Sequence, residues 1–211
     1  MDFVTSEYYL YFLPFVVAMV FFLRRGRRDL QILVMLLMSY LFFWLASGWH
    51  IVLLLFSTIL DWNAGKEIHL SDDKKVRKRW LLFSLSANLG LLATFKYLDF
   101  FIESLNFISS NTINASEIGT LGILLPVGIS FYTFQTMSYT IDIYRGKNQP
   151  YKNFLDFACY AAFFPQLVAG PIVRSEHFLK QIEGEISTNP YRFRLGLTLI
   201  FYGLMKKFLI A

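Results

Sequence analysis

Apolar residues in this chain gather into long runs, parted by short polar or charged stretches. Tyr8–Leu23 is the first run, with Pro14 inside it. Leu30–Ala46 and Trp49–Leu60 follow, separated by Ser47-Gly48. Trp80–Phe101, Ile118–Tyr144 (interrupted by Pro126), Phe154–Val168 and Leu195–Ala211 complete the series. Runs of roughly 17–25 residues suit a bilayer as helices, and shorter ones suit tilted, partial or re-entrant pieces. The runs are too long for barrel strands, and a helix satisfies its own backbone hydrogen bonds in lipid. The pattern predicts an all-α polytopic membrane protein, with residues 1–211 forming a single membrane domain.

The polar stretches predict an orientation. Arg24, Arg25, Arg27 and Arg28 follow the first run. Lys66, Lys74, Lys75, Arg77, Lys78 and Arg79 lie between the third and fourth, and Arg145, Lys147 and Lys152 follow the fifth. The N-terminal stretch carries Asp2 and Glu7 without Lys or Arg, and residues 102–122 carry only Glu103 and Glu117. Threading the first five runs alternately puts every basic loop on one face, which is the cytoplasm by the positive-inside rule. The N-terminus and the 103–117 loop are then outside, and the 62–79 loop is cytoplasmic.

The sixth run breaks this alternation, because basic residues flank it on both sides. It ends in FFPQLVAGPIVR, residues 163–174, where Pro165, Gln166, Gly170 and Pro171 precede Arg174. A re-entrant segment would enter from the cytoplasm, turn at the Pro/Gly cluster and leave again. The alternative is a kinked spanning helix. Non-helical backbone at membrane depth is tolerated only where protein buries it or a wet cavity lines it.

Composition adds weight to the membrane reading. Of 211 residues, 55% are apolar, 18% are aromatic and 17% are charged, too apolar for an ordinary soluble domain of this size. The net charge of +5 follows from the basic loops, and nucleic acid is not implied as a partner.

The fifth run carries a polar face. At about 100° per residue, Tyr132, Gln135, Tyr139 and Asp142 fall on one arc, with Thr133, Thr136 and Thr140 beside them. Phe131, Phe134, Met137 and Ile141 take the other side. One face must therefore meet protein or water. Pro126 is expected at the start of this helix and Arg145-Gly146 at its end, with Asp142 and Arg145 as an i,i+3 ion pair.

Other polar residues point to less. Lys96 is expected to snorkel or to pair with Asp99. His50, His69 and His177 have no second ligand at metal spacing, and no nucleophile constellation is visible. Cys159 is the single cysteine, so no intramolecular disulfide is possible. Asn114-Ala115-Ser116 is a formal glycosylation sequon, and the pattern alone is common. The chain stops at KKFLIA inside an apolar stretch, which predicts the N-terminal part of a longer protein.

The runs LLPVGISFYTFQTMSYTIDIYRG, FACYAAFFPQLVAGPIVR and GLMKKFLIA, with RKRWLLFSLSANLGLLATFKYLDFF upstream, resemble the membrane-bound O-acyltransferase superfamily. Within it the bacterial alginate O-acetyltransferase branch is the nearest in pattern, and the resemblance covers about Leu30 to Ala211. It implies a ring of helices around a funnel in the bacterial plasma (inner) membrane, multi-pass, with the N-terminus outside. A thioester donor, acetyl-CoA or an acyl carrier, would enter from the cytoplasm as substrate, with no bound cofactor and no metal. The acetyl group would leave toward an exported polysaccharide such as alginate, or toward an extracytoplasmic acetyltransferase partner.

Pro165, Gln166, Gly170 and Pro171 match the family's funnel motif, with Gln135 and Tyr139 on the preceding helix and Arg174 at the segment's end. These seven are the candidate substrate-binding residues. The family's signature histidine, in a His-x-x-Trp-type motif, is not among these residues. The resemblance places it downstream of Ala211, so no catalytic residue is assigned within this chain. A histidine suits the base role because its pKa lies near working pH. The competing expectation is a non-catalytic transporter-like or scaffold module, or an inactive fragment, because broken helices and polar intramembrane faces also build transport sites.

Overall fold

The computed structural model describes residues 11–22, 28–112, 119, 122, 125–167, 173–183 and 190–209. Among them the elements are all helical: α1 (Leu13–Phe22), α2 (Arg28–Ser47), α3 (Ile51–Leu70), α4 (Lys74–Thr112), α5 (Ile129–Tyr144), α6 (Phe154–Ala162), α7 (Phe164–Leu167), α8 (Ser175–Ile182) and α9 (Pro190–Leu209).

The Ser47-Gly48 break between the second and third runs is a tight reversal. Gly48 takes φ 58, a left-handed value open to glycine, and opens a 3-10 turn over Gly48–His50. The two helices then pack antiparallel. Ile32, early in α2, shares a buried cluster with Ile68, late in α3. Phe43, late in α2, shares another with Leu54, early in α3.

The charged stretch at 62–79 differs from the expected loop. α3 runs on to Leu70 and α4 begins at Lys74, so only residues 71–73 stay outside a helix. The caps explain this. The Asp73 carboxylate accepts the Lys75 amide at 2.8 Å, and the Ser71 hydroxyl accepts the Asp73 amide at 3.2 Å. α4 has 39 residues. At 1.5 Å per residue it is about 58 Å long, nearly twice a hydrocarbon core, so its basic first turns need not enter lipid.

α5 is shorter than its apolar run, and Pro126 stands ahead of it instead of in its first turn. Gly128 at φ 72 closes the approach, and the Ile129 amide donates to the Pro126 carbonyl at 3.3 Å. At the other end Gly146, at φ 70, makes the expected glycine cap: the Lys147 amide reaches the Asp142 carbonyl at 2.9 Å. The side chains of Asp142 and Arg145 do not form the expected ion pair among the described residues. Arg145 is exposed, and Asp142 contributes through its backbone. Met137 is buried on the side expected to be outward, while Phe131 and Phe134 are exposed. α5 packs against α3, α4 and α6, which leaves only a narrow outward strip.

Side-chain bonds fix the register between helices. Ser57 meets Asn88, and Asp61 meets Ser84, so α3 and α4 run antiparallel. Arg77, early in α4, donates to the Tyr144 carbonyl at the end of α5 at 2.9 Å. At the opposite end of α5, the Val127 amide donates to the Ser47 hydroxyl at 2.9 Å. The bundle thus has one end marked by Arg28, residues 71–73 and Tyr144, and another marked by Ser47 and Gly128. Most of α9 is exposed, presenting Phe193, Leu199 and Phe201.

Candidate functional site

The broken segment begins as an ordinary helix. The Asn153 side chain caps α6 by accepting the Leu155 amide at 3.1 Å. α6 is buried from Asp156 to Ala162, and Cys159 lies in that buried face. At Phe163 the backbone turns to φ −59, ψ 104, and the helix ends. Pro165 has no amide hydrogen to continue it. The break leaves polar backbone groups at depth, and side chains of neighbouring helices satisfy them. The Gln135 amide nitrogen on α5 donates to the Tyr160 carbonyl at 2.7 Å. The Phe164 amide, which a continuous helix would have given to that carbonyl, donates to the Ser39 hydroxyl on α2 at 3.3 Å.

α7 then carries the chain to Leu167, whose carbonyl lies against the first turn of α5. A Cβ placed on Gly128 would stand 2.4 Å from that oxygen. The described chain resumes at Val173, and its contacts are with the start of the segment. The Tyr160 hydroxyl lies 3.0 Å from the Val173 carbonyl and 3.2 Å from that of Gln135. Tyr151 donates to the Ser175 carbonyl at 2.9 Å, and Asn148 donates to the Ser175 hydroxyl at 3.2 Å. Arg28 joins both arms, donating to Asp156 at 2.8 Å and to the Ile182 carbonyl at 2.7 Å.

The seven candidate residues separate on this frame. Gln135 and Gln166 come together, with the Gln135 nitrogen 3.5 Å from the Gln166 oxygen, the outer limit of a hydrogen bond. Gln135 is buried, while Pro165 and Gln166 are half-buried. Tyr139 is buried two turns of α5 away from Tyr132, its ring 4.4 Å from that of Phe157 and its hydroxyl close against Gly65 of α3. Arg174 is exposed at the start of α8. Gly170 and Pro171 lie outside the described residues.

The histidines do not converge. His50 is buried, bonded through Nδ1 to the Ser47 carbonyl at 2.7 Å and stacked on Trp49. His69 and His177 are exposed. Lys96 is exposed with its Nζ 5.3 Å from the centre of the Tyr97 ring. No group of metal-ligating side chains forms among the described residues.

Sequence reading passed over four contributors: Ser39, Arg28 as a bridge, Gly128, and Asp61. Asp61 is fully buried, receiving Ser84 at 2.5 Å and the Asn88 amide at 2.9 and 3.0 Å. The spacing of Ser57, Asp61 and Gly65, and of Ser84 and Asn88, is one small or polar residue every four, a helix-interface signal that taking Leu60 as the end of a run conceals.

Comparison with known proteins decides the family. No family model matches the chain, and no solved structure matches it. Among curated proteins, it is 34% identical over 215 residues to the probable alginate O-acetylase AlgI of Pseudomonas putida, a match covering 100% of this chain and 43% of the relative. The corresponding protein of Pseudomonas aeruginosa is 34% identical over 215 residues, covering 100% of this chain and 40% of the relative. The chain belongs to the membrane-bound O-acyltransferases, in their alginate O-acetylase-like branch. A further member, the peptidoglycan O-acetyltransferase of Helicobacter pylori, is 32% identical over 205 residues, covering 83% of this chain and 38% of the relative. The chain therefore spans about two fifths of the length of the curated relatives it matches. Two of its helical stretches, Arg28–Leu70 and Lys74–Ile108, are long and apolar enough to cross a bilayer, and it is a membrane protein.

Proposed function

We propose that this chain forms part of the membrane domain of an O-acetyltransferase that moves acetyl groups from a cytoplasmic thioester toward an exported polysaccharide. The observation that carries the reading is the match along the whole chain to relatives whose names state alginate O-acetylation. The acceptor is an alginate-like or peptidoglycan-like glycan, the classes those relatives are named for. The protein is multi-pass, with the N-terminus outside and the basic end of the bundle in the cytoplasm.

The segment from Phe154 to Ile182 is re-entrant in this reading and forms a wall of the donor path. Three groups of contacts support it. Arg28 holds both Asp156 and the Ile182 carbonyl, at opposite ends of the segment. The Phe164 amide reaches Ser39, eleven residues along α2 from Arg28. Val173 and Ser175 return to Tyr160, Asn148 and Tyr151. Single cysteines at Lys152, Arg174 and Lys75 in a Cys159→Ser background test the arrangement. All three are expected to resist an impermeant thiol reagent added to intact cells and to react in inverted vesicles. Labelling of Arg174→Cys from outside contradicts it.

Gln135 and Gln166 sit where the break brings open backbone next to amide side chains. Gln135 is committed to the Tyr160 carbonyl, so Gln166 is the group this reading assigns to a thioester or its pantetheine arm. In the intact protein, Gln166→Leu is expected to lower polysaccharide acetylation about 2- to 13-fold, the effect of losing one hydrogen bond of about 0.5–1.5 kcal/mol. Protein level is expected to hold. Normal acetylation at normal protein level rejects a donor contact for Gln166, and a parallel fall of both assigns it to packing alone.

A further inference from the structure

A buried carboxyl without a positive partner stands at the junction of α3, α4 and α5. Asp61 is fully buried, as are Ser57, Ser84, Thr136 and Thr140, and Asn88 is 1% exposed. None of the ion pairs among the described residues involves Asp61. Its neutral hydrogen-bond partners, Ser84, Asn88, Ser57 and Thr136, do not cancel a full charge, and an unpaired charge inside a membrane protein is costly.

Hydroxyl groups from three helices surround the carboxyl. The Thr136 hydroxyl lies 3.3 Å from the Thr133 carbonyl, and the Thr140 hydroxyl lies 3.3 Å from the Thr136 carbonyl. Ser57 gives its hydrogen to the Asn88 side-chain oxygen at 2.5 Å. Ser57 and Thr136 lie 3.4 Å apart, and Ser84 and Thr140 lie 3.5 Å apart. Ser57 and Thr136 also stand within reach of the Asp61 carboxyl. Beside them the buried Tyr139 hydroxyl has no hydrogen-bond partner among the described residues, and it lies close to Gly65, one turn from Asp61.

A proton on Asp61 needs one acceptor. One carboxylate with several inward-facing neutral oxygens is what a hard monovalent cation requires, since such ions take oxygen ligands in number. We propose that Asp61, Ser57, Ser84, Thr136 and Thr140 form a sodium-binding site that locks α5 onto α3 and α4. The site shares no residue with the Gln135–Gln166 pair and stands independently of the acyl-transfer reading.

Thermal unfolding of the intact protein in detergent, at constant ionic strength in sodium, potassium or choline chloride, tests it. Sodium at saturation is expected to raise the melting temperature by about 5 °C over choline, because a ligand bound only by the folded state shifts the transition. Asp61→Asn is expected to fold and to lose the sodium increment, and Thr136→Val to weaken it. Direct binding of radioactive sodium to the same preparations gives a second readout should Asp61→Asn fold poorly, with wild-type binding reduced at least tenfold by Thr136→Val. Equal melting temperatures in sodium and choline, with no sodium bound, overturn the site. A sodium increment that survives in Asp61→Asn places the ion elsewhere and overturns it too. A transition that depends on pH but not on sodium assigns the charge partner to a proton, again overturning it.

Discussion

Arg28→Met is expected to destabilise the intact protein by about 3 kcal/mol, because it strands a buried carboxylate. Asp156 has a side chain only 9% exposed and depends on Arg28 for its ion pair, at 2.8 Å. Its other oxygen is buried without a partner among the described residues. The same change removes the bond from Arg28 to the Ile182 carbonyl, releasing the far arm of the broken segment. Arg28→Lys keeps the charge but not the fork that serves Asp156 and Ile182 together, so it is expected to recover only part of the loss. Arg28→Met with Asp156→Leu removes both charges and is expected to regain most of the stability. Melting temperatures of the four proteins in one detergent check this. A double variant no more stable than Arg28→Met rejects the ion pair as the cause.

Gly128→Ala is expected to cost about 3 kcal/mol or more, through two effects on one atom. The backbone at φ 72 is left-handed, which costs an alanine about 1–2 kcal/mol. The added Cβ would also stand 2.4 Å from the Leu167 carbonyl oxygen, so α7 or the first turn of α5 must move. Gly146→Ala separates these effects. Gly146 has φ 70 but nothing within 4 Å of a Cβ, so it carries the backbone cost alone. Gly128→Ala is expected to melt well below Gly146→Ala and to lose more acetylation, because it displaces Leu167 and with it the end of the broken segment. Equal losses for the two variants show that the contact with Leu167 does not matter.

The apolar runs made the helices legible, because in a membrane every backbone group must be paired within its own segment. They located the helix ends poorly. Charged residues in 62–79 read as a loop, yet Ser71 and Asp73 cap helices that carry those charges beyond the apolar stretch. The polar arc of α5 was legible from its period, and its members Tyr132, Gln135 and Tyr139 are buried. What each touches was not. Whether Gln135 meets a ligand or the Tyr160 carbonyl depends on where α6 breaks, and that depends on Ser39, 125 residues earlier in the chain, receiving the Phe164 amide. Asp61 was hidden for a related reason. Its partners Ser84 and Asn88 are on another helix, and the four-residue spacing that unites them means little until α3 is known to run past Leu60.

The acetyl ester content of the exported polysaccharide is the most direct measure of the acetyl transfer proposed for the intact protein. Ester-bound acetate released by mild base is compared among the source strain, a strain lacking the full-length gene, and that strain carrying a plasmid copy. Deletion is expected to lower ester acetate to background, and the plasmid copy to restore it. Unchanged ester acetate in the deletion strain, with the polysaccharide still exported, contradicts it.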